Sequence, residues 1–375
     1  MEFHNPVEVL NLRDCRERMV NDISNYNSIL IICSESALKR FKQDHILKSF
    51  FKLKNISIEH NFSSNPALDE ILEISQKYIS QNFDTIIGMG GGSSMDVAKI
   101  LSATIPALKL GHNINDLLNN PCLIDFVQVI DCFHLPTTAG TGSEVTPFAT
   151  IWDYGQNIKK SLSHKSLFAK KVYIDSFLIE STPLNILQST GLDALNQAFE
   201  SLWNINSNEI SKLYAIQAIE LSLLSLPFIN QVNVNSTISN MLCSSSLNAG
   251  IAISHTRTAI CHSISYPLTL HFNIPHGYAC AFTMLEVYDF NKDAIKKDID
   301  NIESKLSLNI RKSIEEILTL FKVEDIFNEY MGDKKSVLCL EKEMITKGRF
   351  ENNIIPCPKA DLVKIINNSC NRYLN

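Results

Sequence analysis

Hydrophobic positions in the first half of the chain fall in short β-branched runs, and longer stretches with helical spacing separate them. Residues 28–33, 56–59 and 85–88 read as strands, and 37–51 and 67–80 read as helices. Alternation of this kind predicts a parallel sheet with crossover helices. Residues 133–135 and 172–174 add further buried strands, and 148–152 reads as one arm of a hairpin. Beyond Pro183 the pattern changes, because 192–203, 209–226 and 238–253 carry apolar residues at helical spacing with few strand signals. The expected fold class is an α/β N-terminal domain over residues 1–180 with a Rossmann-like parallel sheet, followed by an all-helical C-terminal domain over 181–375. In open sheets ligands bind beyond the carboxyl ends of the strands, so a cleft between the two halves is the expected site.

Composition narrows the function. A chain of 375 residues, 45% of them hydrophobic, can bury the core of more than one domain. Its net charge of -6 offers no global attraction for nucleic acid or an anionic membrane, so any anion site has to be local. The first residues lack a basic segment followed by an apolar one, and no later run reaches membrane length, which leads to the expectation of a cytoplasmic protein. The 10 cysteines are scattered without a Cys-x-x-Cys pair, which argues against a zinc ribbon, an iron–sulfur site or a disulfide framework.

Two loops carry candidate chemistry. The strand at 85–88 runs into Gly90-Gly91-Gly92-Ser93-Ser94-Met95-Asp96 and then a helix. Glycines there let backbone N–H groups approach a pyrophosphate, and the helix N-terminus adds unpaired donors and the positive end of a dipole. The order is neither Gly-x-Gly-x-x-Gly nor a triphosphatase loop, which points to a different class of dinucleotide binder. A second loop, Pro136-Thr137-Thr138-Ala139-Gly140-Thr141-Gly142-Ser143-Glu144-Val145-Thr146, follows the strand at 133–135, and its hydroxyls suit phosphate, ribose or nicotinamide. In the helical half, Asp193 and Gln197 lie one turn apart on one helix face, and His262 and His276 follow in sequence. An oxygen ligand and two imidazoles could hold a divalent metal with an open position.

Together these segments resemble the iron-containing (group III) alcohol dehydrogenases, with their dehydroquinate-synthase-like architecture, over nearly the whole chain. The resemblance implies a dinucleotide, NAD or NADP, held at the pyrophosphate by Gly91, Gly92 and Ser93 with Asp96 on the same helix. It implies nicotinamide-side contacts from Thr138 and Thr141 and a lysine contact from Lys159 or Lys160. It further implies a divalent metal, iron or zinc, ligated by Asp193, Gln197, His262 and His276 in a metal-binding and substrate domain, and a homodimer. Two positions depart from the family pattern. Gln197 stands where histidine is usual, and an amide oxygen is the weaker ligand. Tyr266 stands where many members carry a histidine that relays protons, and a phenol with a pKa near ~10 is a poorer shuttle at neutral pH. Ser34, at the end of the strand at 28–33, occupies the position that tells NAD from NADP in much of the family, and with Glu35 beside it the choice stays open.

The resemblance implies hydride transfer between nicotinamide and a small aldehyde or alcohol, with the metal polarising the carbonyl. Arg257 and Thr258, just before His262, stand where many members have small or apolar residues. A guanidinium beside an apolar reaction site suits a phosphonate, phosphate or carboxylate. Residues 193–203 and 265–269 look like the phosphonoacetaldehyde reductase branch, whose product is 2-hydroxyethylphosphonate. Other readings are a generic short-chain alcohol dehydrogenase on uncharged substrates, a dehydroquinate-synthase-like lyase, and a non-catalytic nucleotide-binding protein.

Overall fold

The computed structural model describes residues 3–53, 55–229 and 234–374. The chain divides into two compact units, His4–Ile179 and Glu180–Asn375, the latter together with residues 1–3. The first is built on strands β1 (Glu8–Asn11), β2 (Ile29–Ile32), β3 (Ile56–Glu59), β4 (Thr85–Gly90), β5 (Asp131–Pro136), β6 (Phe148–Asp153), β7 (Ile158–Ser163) and β8 (Lys171–Ile174). Six of them form a sheet in the order β1-β8-β5-β4-β2-β3, in which all pairs are parallel. Helices α1 (Arg16–Ile23), α2 (Glu35–Gln43), α3 (Leu47–Phe50), α4 (Leu68–Lys77), α5 (Gly92–Lys109), α6 (Ile114–Asn119) and α7 (Ser176–Glu180) lie between or after the strands.

The β2 run Ile-Leu-Ile-Ile shows why the strands read as continuous apolar stretches. Leu30 and Ile32 enter one hydrophobic cluster with Ile86, Val97 and Ile100, whereas Ile29 and Ile31 enter a second with Ile87, Phe133 and Leu135. Both faces of the sheet are therefore covered, as a parallel sheet requires. The strand order reverses between β2 and β4, so the segments after β2, β4 and β5 leave neighbouring carboxyl ends, where open sheets place ligands. β6 and β7 form an antiparallel hairpin apart from this sheet.

The helix expected over 37–51 is two helices. Asp44 breaks it by accepting hydrogen bonds from the N–H groups of Ile46 and Leu47, both at 2.9 Å, which caps α3. The other Asp44 oxygen accepts from Arg16 Nε at 3.1 Å. β1 is a further strand without a strand signal in the sequence, an edge element with exposed Glu8 and half-buried neighbours.

Among its described residues the second unit is built from helices, beginning with α8 (Leu184–Leu202), α9 (Glu209–Ser225), α10 (Ser236–Thr256), α11 (Ile260–Phe272) and α12 (His276–Ala281), and continuing to Lys359–Tyr373, with an isolated bridge between Asn204 and Asn353. Among the described residues no helix is long and apolar enough to cross a membrane. α8 is buried on nearly every side from Gly191 to Leu202 and carries Asp193, Gln197 and Glu200 inside the unit. α12 is pressed on α8 at Gly277, where a Cβ would stand 1.7 Å from the Ser189 carbonyl oxygen. Only glycine permits that approach. Tyr278 adds a hydrogen bond to Gln188 Oε1 at 3.0 Å, so the placement of His276 is tied to the helix that carries Asp193.

Candidate nucleotide and metal sites

In the first unit the two loops meet. A Cβ on Gly92 would lie 2.8 Å from Thr141 Cγ2, and one on Gly91 would lie 3.4 Å from Thr138 Oγ1. Thr137 N–H donates to the Gly90 carbonyl at 2.9 Å, and Gly90 has φ of +153°, a region open to glycine. Gly91 caps α5, which leaves the first N–H groups of an 18-residue helix facing the crossing point. The Thr138 hydroxyl oxygen is buried there with no hydrogen-bond partner among the described residues. A dinucleotide pyrophosphate fits this donor set: backbone N–H groups, a helix dipole and a hydroxyl awaiting a partner.

The other expected nucleotide residues divide by their partners. Asp96 spends both oxygens inside the protein, accepting from Ser143 Oγ and from Thr150 N–H, the latter at 2.8 Å, so it ties the second loop to α5. Lys99, fully buried one turn later, pairs with Asp96 at 3.0 Å and donates to Ser143 O at 3.0 Å, to Thr146 Oγ1 at 3.3 Å and to Phe148 O. Sequence reading passed over Lys99; its signal was a charged residue three positions after Asp96 in an otherwise apolar helix. Ser93 Oγ donates to the Ser64 carbonyl, which leaves its backbone N–H for a ligand. Ser34 Oγ accepts from Ala37 N–H at 3.3 Å as the N-cap of α2, next to Glu35. On β7, Lys160 is paired with Asp153 at 2.8 Å, whereas Lys159 Nζ lies 5.5 Å from the centre of the Trp152 ring.

In the second unit Asp193, His262, His276 and Cys280 each offer a ligand atom, all within 4.8 Å of one another. His262 Nε2 lies 3.2 Å from Asp193 Oδ1. On the other side of the ring, His262 Nδ1 donates to Glu200 Oε2 at 2.6 Å, and Glu200 also accepts from the backbone N–H groups of His262 and Ala259. Glu200 thus fixes the ring and its tautomer, leaving Nε2 directed at the cluster. Gln197, buried one turn after Asp193, remains on the same helix face. The His276 ring lies 5.3 Å from that of His262 and stacks on Tyr266 at 6.1 Å and 19°.

Cys280 and Glu200 escaped the sequence reading. Each had a periodic signal: Cys280 comes four residues after His276, and Glu200 seven after Asp193, spacings that return to one helix face.

Arg257 ends α10 with φ of +64°, a left-handed conformation that a side-chain-bearing residue holds at a cost. Its carbonyl accepts from Asn204 Nδ2 at 3.2 Å and from Thr256 Oγ1 at 2.9 Å, which over-determines the turn. Thr258 is buried, and its carbonyl accepts from Asn352 Nδ2 at 2.9 Å. Burial pushes the Arg257 guanidinium down to about 10, and the like charge of Arg349 adds to the fall while Tyr266 opposes it.

Residues 6–176 match the model of the iron-containing alcohol dehydrogenase family, and 187–367 match that of the family's C-terminal region. The chain belongs to the iron-containing alcohol dehydrogenase family. Among relatives, a phosphonoacetaldehyde reductase of Streptomyces viridochromogenes is 29% identical over 239 residues, 62% of this chain and 59% of the relative. A 1-propanol dehydrogenase of Citrobacter freundii is also 29% identical, over 63% of this chain and 60% of its own length. A sulfoacetaldehyde reductase of Bilophila wadsworthia is 29% identical over 72% of this chain and 68% of its own. The chain thus spans about three fifths of the length of the first two relatives. In fold, the chain is similar to a sulfoacetaldehyde reductase from Bifidobacterium kashiwanohense solved in complex with NAD+, with a TM-score of 0.86 at 22% identity and 98% coverage of both chains.

Proposed function

We propose that this protein is a metal-dependent, nicotinamide-linked reductase of a small aldehyde carrying a phosphonate or sulfonate group, with phosphonoacetaldehyde the leading candidate and 2-hydroxyethylphosphonate its product. In this reading the first unit binds the dinucleotide and the second holds the metal and substrate. When bound, the two groups supply hydride and Lewis-acid polarisation of a carbonyl. The chain's own residues do the rest. Gly91, Gly92 and Ser93 present backbone donors to the pyrophosphate, Thr138 and Thr141 bound the same space, and Lys159 or Lys160 on β7 supplies the lysine contact. Asp193, His262, His276 and the residues around them hold the cation, and Glu200 keeps His262 in the tautomer that can ligate. Tyr266 stacks on His276, and in this reading its phenol hydrogen-bonds the substrate.

The observation that carries the substrate class is Arg257. Its guanidinium is withdrawn from water on a strained turn, with Arg349 as a like charge nearby. A guanidinium with a second cation near it suits an anion that takes two hydrogen bonds, such as phosphonate or sulfonate. The relatives support the class without choosing it, since two are named for anionic aldehydes and another for 1-propanol at the same 29% identity.

The test is Arg257→Ala. Charge-assisted hydrogen bonds are worth roughly 1.5–3 kcal/mol, so kcat/KM on phosphonoacetaldehyde should fall about ten- to a hundredfold. Activity on propanal should barely change, and Arg257→Lys should recover only part of the loss. Equal losses on both aldehydes would make Arg257 a support of the fold and remove the anionic substrate from the proposal.

A further inference from the structure

The donor cluster differs from an all-nitrogen-and-oxygen site in one atom, the Cys280 sulfur. It is buried, as are Asp193 and His262, with His276 half-exposed. Cys280 Sγ lies 3.8 Å from His276 Nε2 and 4.0 Å from His276 Nδ1. Metal bonds of about 2.3 Å to sulfur and about 2.0–2.1 Å to nitrogen or oxygen put neighbouring atoms of a tetrahedron roughly 3.3–3.6 Å apart. The His262 Nε2 to Asp193 Oδ1 edge, 3.2 Å, and the sulfur to His276 edge, 3.8 Å, bracket that spacing before any cation draws them in. Cys280 reaches the cluster because it stands one turn after His276 on α12, and Gly277 and Tyr278 clamp that helix to the one bearing Asp193.

Gln197, buried one turn after Asp193 on the same helix, offers an amide oxygen, which carries no charge. A thiolate brings a full negative charge and a soft, polarisable donor, which zinc and cobalt accept more readily than ferrous iron. We infer that Cys280 supplies the fourth protein ligand, so that the centre is one carboxylate, two imidazoles and one thiolate, selective for zinc over ferrous iron, with a fifth position taken by the substrate oxygen. The thiol proton leaves to solvent as the cation binds, with no change in oxidation state of sulfur or metal. The inference rests on the cluster being the metal site of the proposed function, and it departs from the metal in the family's name.

The experiment loads the full-length protein with one equivalent of cobalt(II) or zinc and reads the ligands directly. With cobalt, the native protein should show a near-ultraviolet sulfur-to-metal charge-transfer band at one-to-one stoichiometry. The band should persist in Gln197→Ala and vanish in Cys280→Ser. With zinc, X-ray absorption on the native protein should show one sulfur at about 2.3 Å, a reading that does not depend on a variant folding. Cys280→Ser should also lose about tenfold or more in zinc affinity in competition with a chelator, with a smaller loss for ferrous iron. Stoichiometric metal with only nitrogen and oxygen neighbours, or a band that survives Cys280→Ser, would overturn the thiolate while leaving the metal site standing. Failure of the native protein to bind stoichiometric metal would overturn both.

Discussion

Gly91 and Gly92 are neighbours whose substitutions should fail differently. Gly91 has an ordinary φ of −77° and 3.4 Å of clearance to Thr138, so a side chain fits the protein but occupies the space where a pyrophosphate meets the backbone. Gly91→Val should therefore weaken dinucleotide binding by about tenfold or more with little loss of stability, as calorimetry and thermal unfolding can show together. Gly92→Ala would place its methyl 2.8 Å from Thr141 and should cost both, since the second loop must shift to admit it. Unchanged nucleotide affinity in Gly91→Val would reject the loop assignment. Residues such as Gly91, Thr138, His262 and His276 could be named from the sequence because short motifs carry them. Cys280 could not, since a cysteine at helical spacing from a histidine has no distinctive pattern until the helix is packed. The partners of Asp96 were hidden for the same reason: Ser143 and Thr150 are far away in sequence.

At the scale of elements, the second loop carries a buried acid. Burial pushes the Glu144 carboxyl up to about 7, against the opposing effects of a backbone hydrogen bond and Lys99. His134 is itself kept neutral by burial, which outweighs the opposing pull of the Glu144 backbone carbonyl on its ring N–H. A carboxyl with a raised folded-state pKa keeps a proton that the unfolded chain releases. Its contribution is complete below the ordinary value of 4.5 and is lost as pH rises through about 7. Glu144→Gln should therefore flatten the pH dependence of stability across that window and, by about pH 8, exceed the native protein by on the order of 3 kcal/mol. Urea unfolding at both ends of the window checks this, and parallel native and variant curves would contradict it. Elsewhere in the sheet unit, Arg16 is fully buried against Asp44 and Asp175, with Phe177 beneath its guanidinium at 4.5 Å. Arg16→Met leaves the buried Asp175 carboxylate with backbone N–H donors but no counter-charge and should cost about 3–5 kcal/mol, partly restored by adding Asp175→Asn. The sequence hid this anchor, because its three segments meet only when α1, α3 and the end of β8 come together. It also hid the break at Asp44, where a capping side chain outweighs a continuous helical pattern.

At the scale of the whole molecule, the change in hydrophobic period near residue 180 was enough to read a parallel sheet followed by helices, since both patterns are strong. Two faces of β2 buried in different clusters explain the first, and the nearly all-buried α8 explains the second. The edge strand β1 was illegible, as a half-exposed edge needs little apolar patterning. Membership of the iron-containing alcohol dehydrogenases does not choose among substrates. Removing metal should leave the donors of the helical unit close together without their common counter-ion. A chelator should thus lower the thermal midpoint, and added zinc should raise it again with a dependence on concentration. The most direct test of the central claim follows consumption of reduced nicotinamide by the zinc-loaded protein with phosphonoacetaldehyde, sulfoacetaldehyde and propanal. The account predicts turnover that disappears with the metal and a kcat/KM at least about tenfold higher on the anionic aldehydes than on propanal. Turnover that ignores metal, or a preference for propanal, would contradict it.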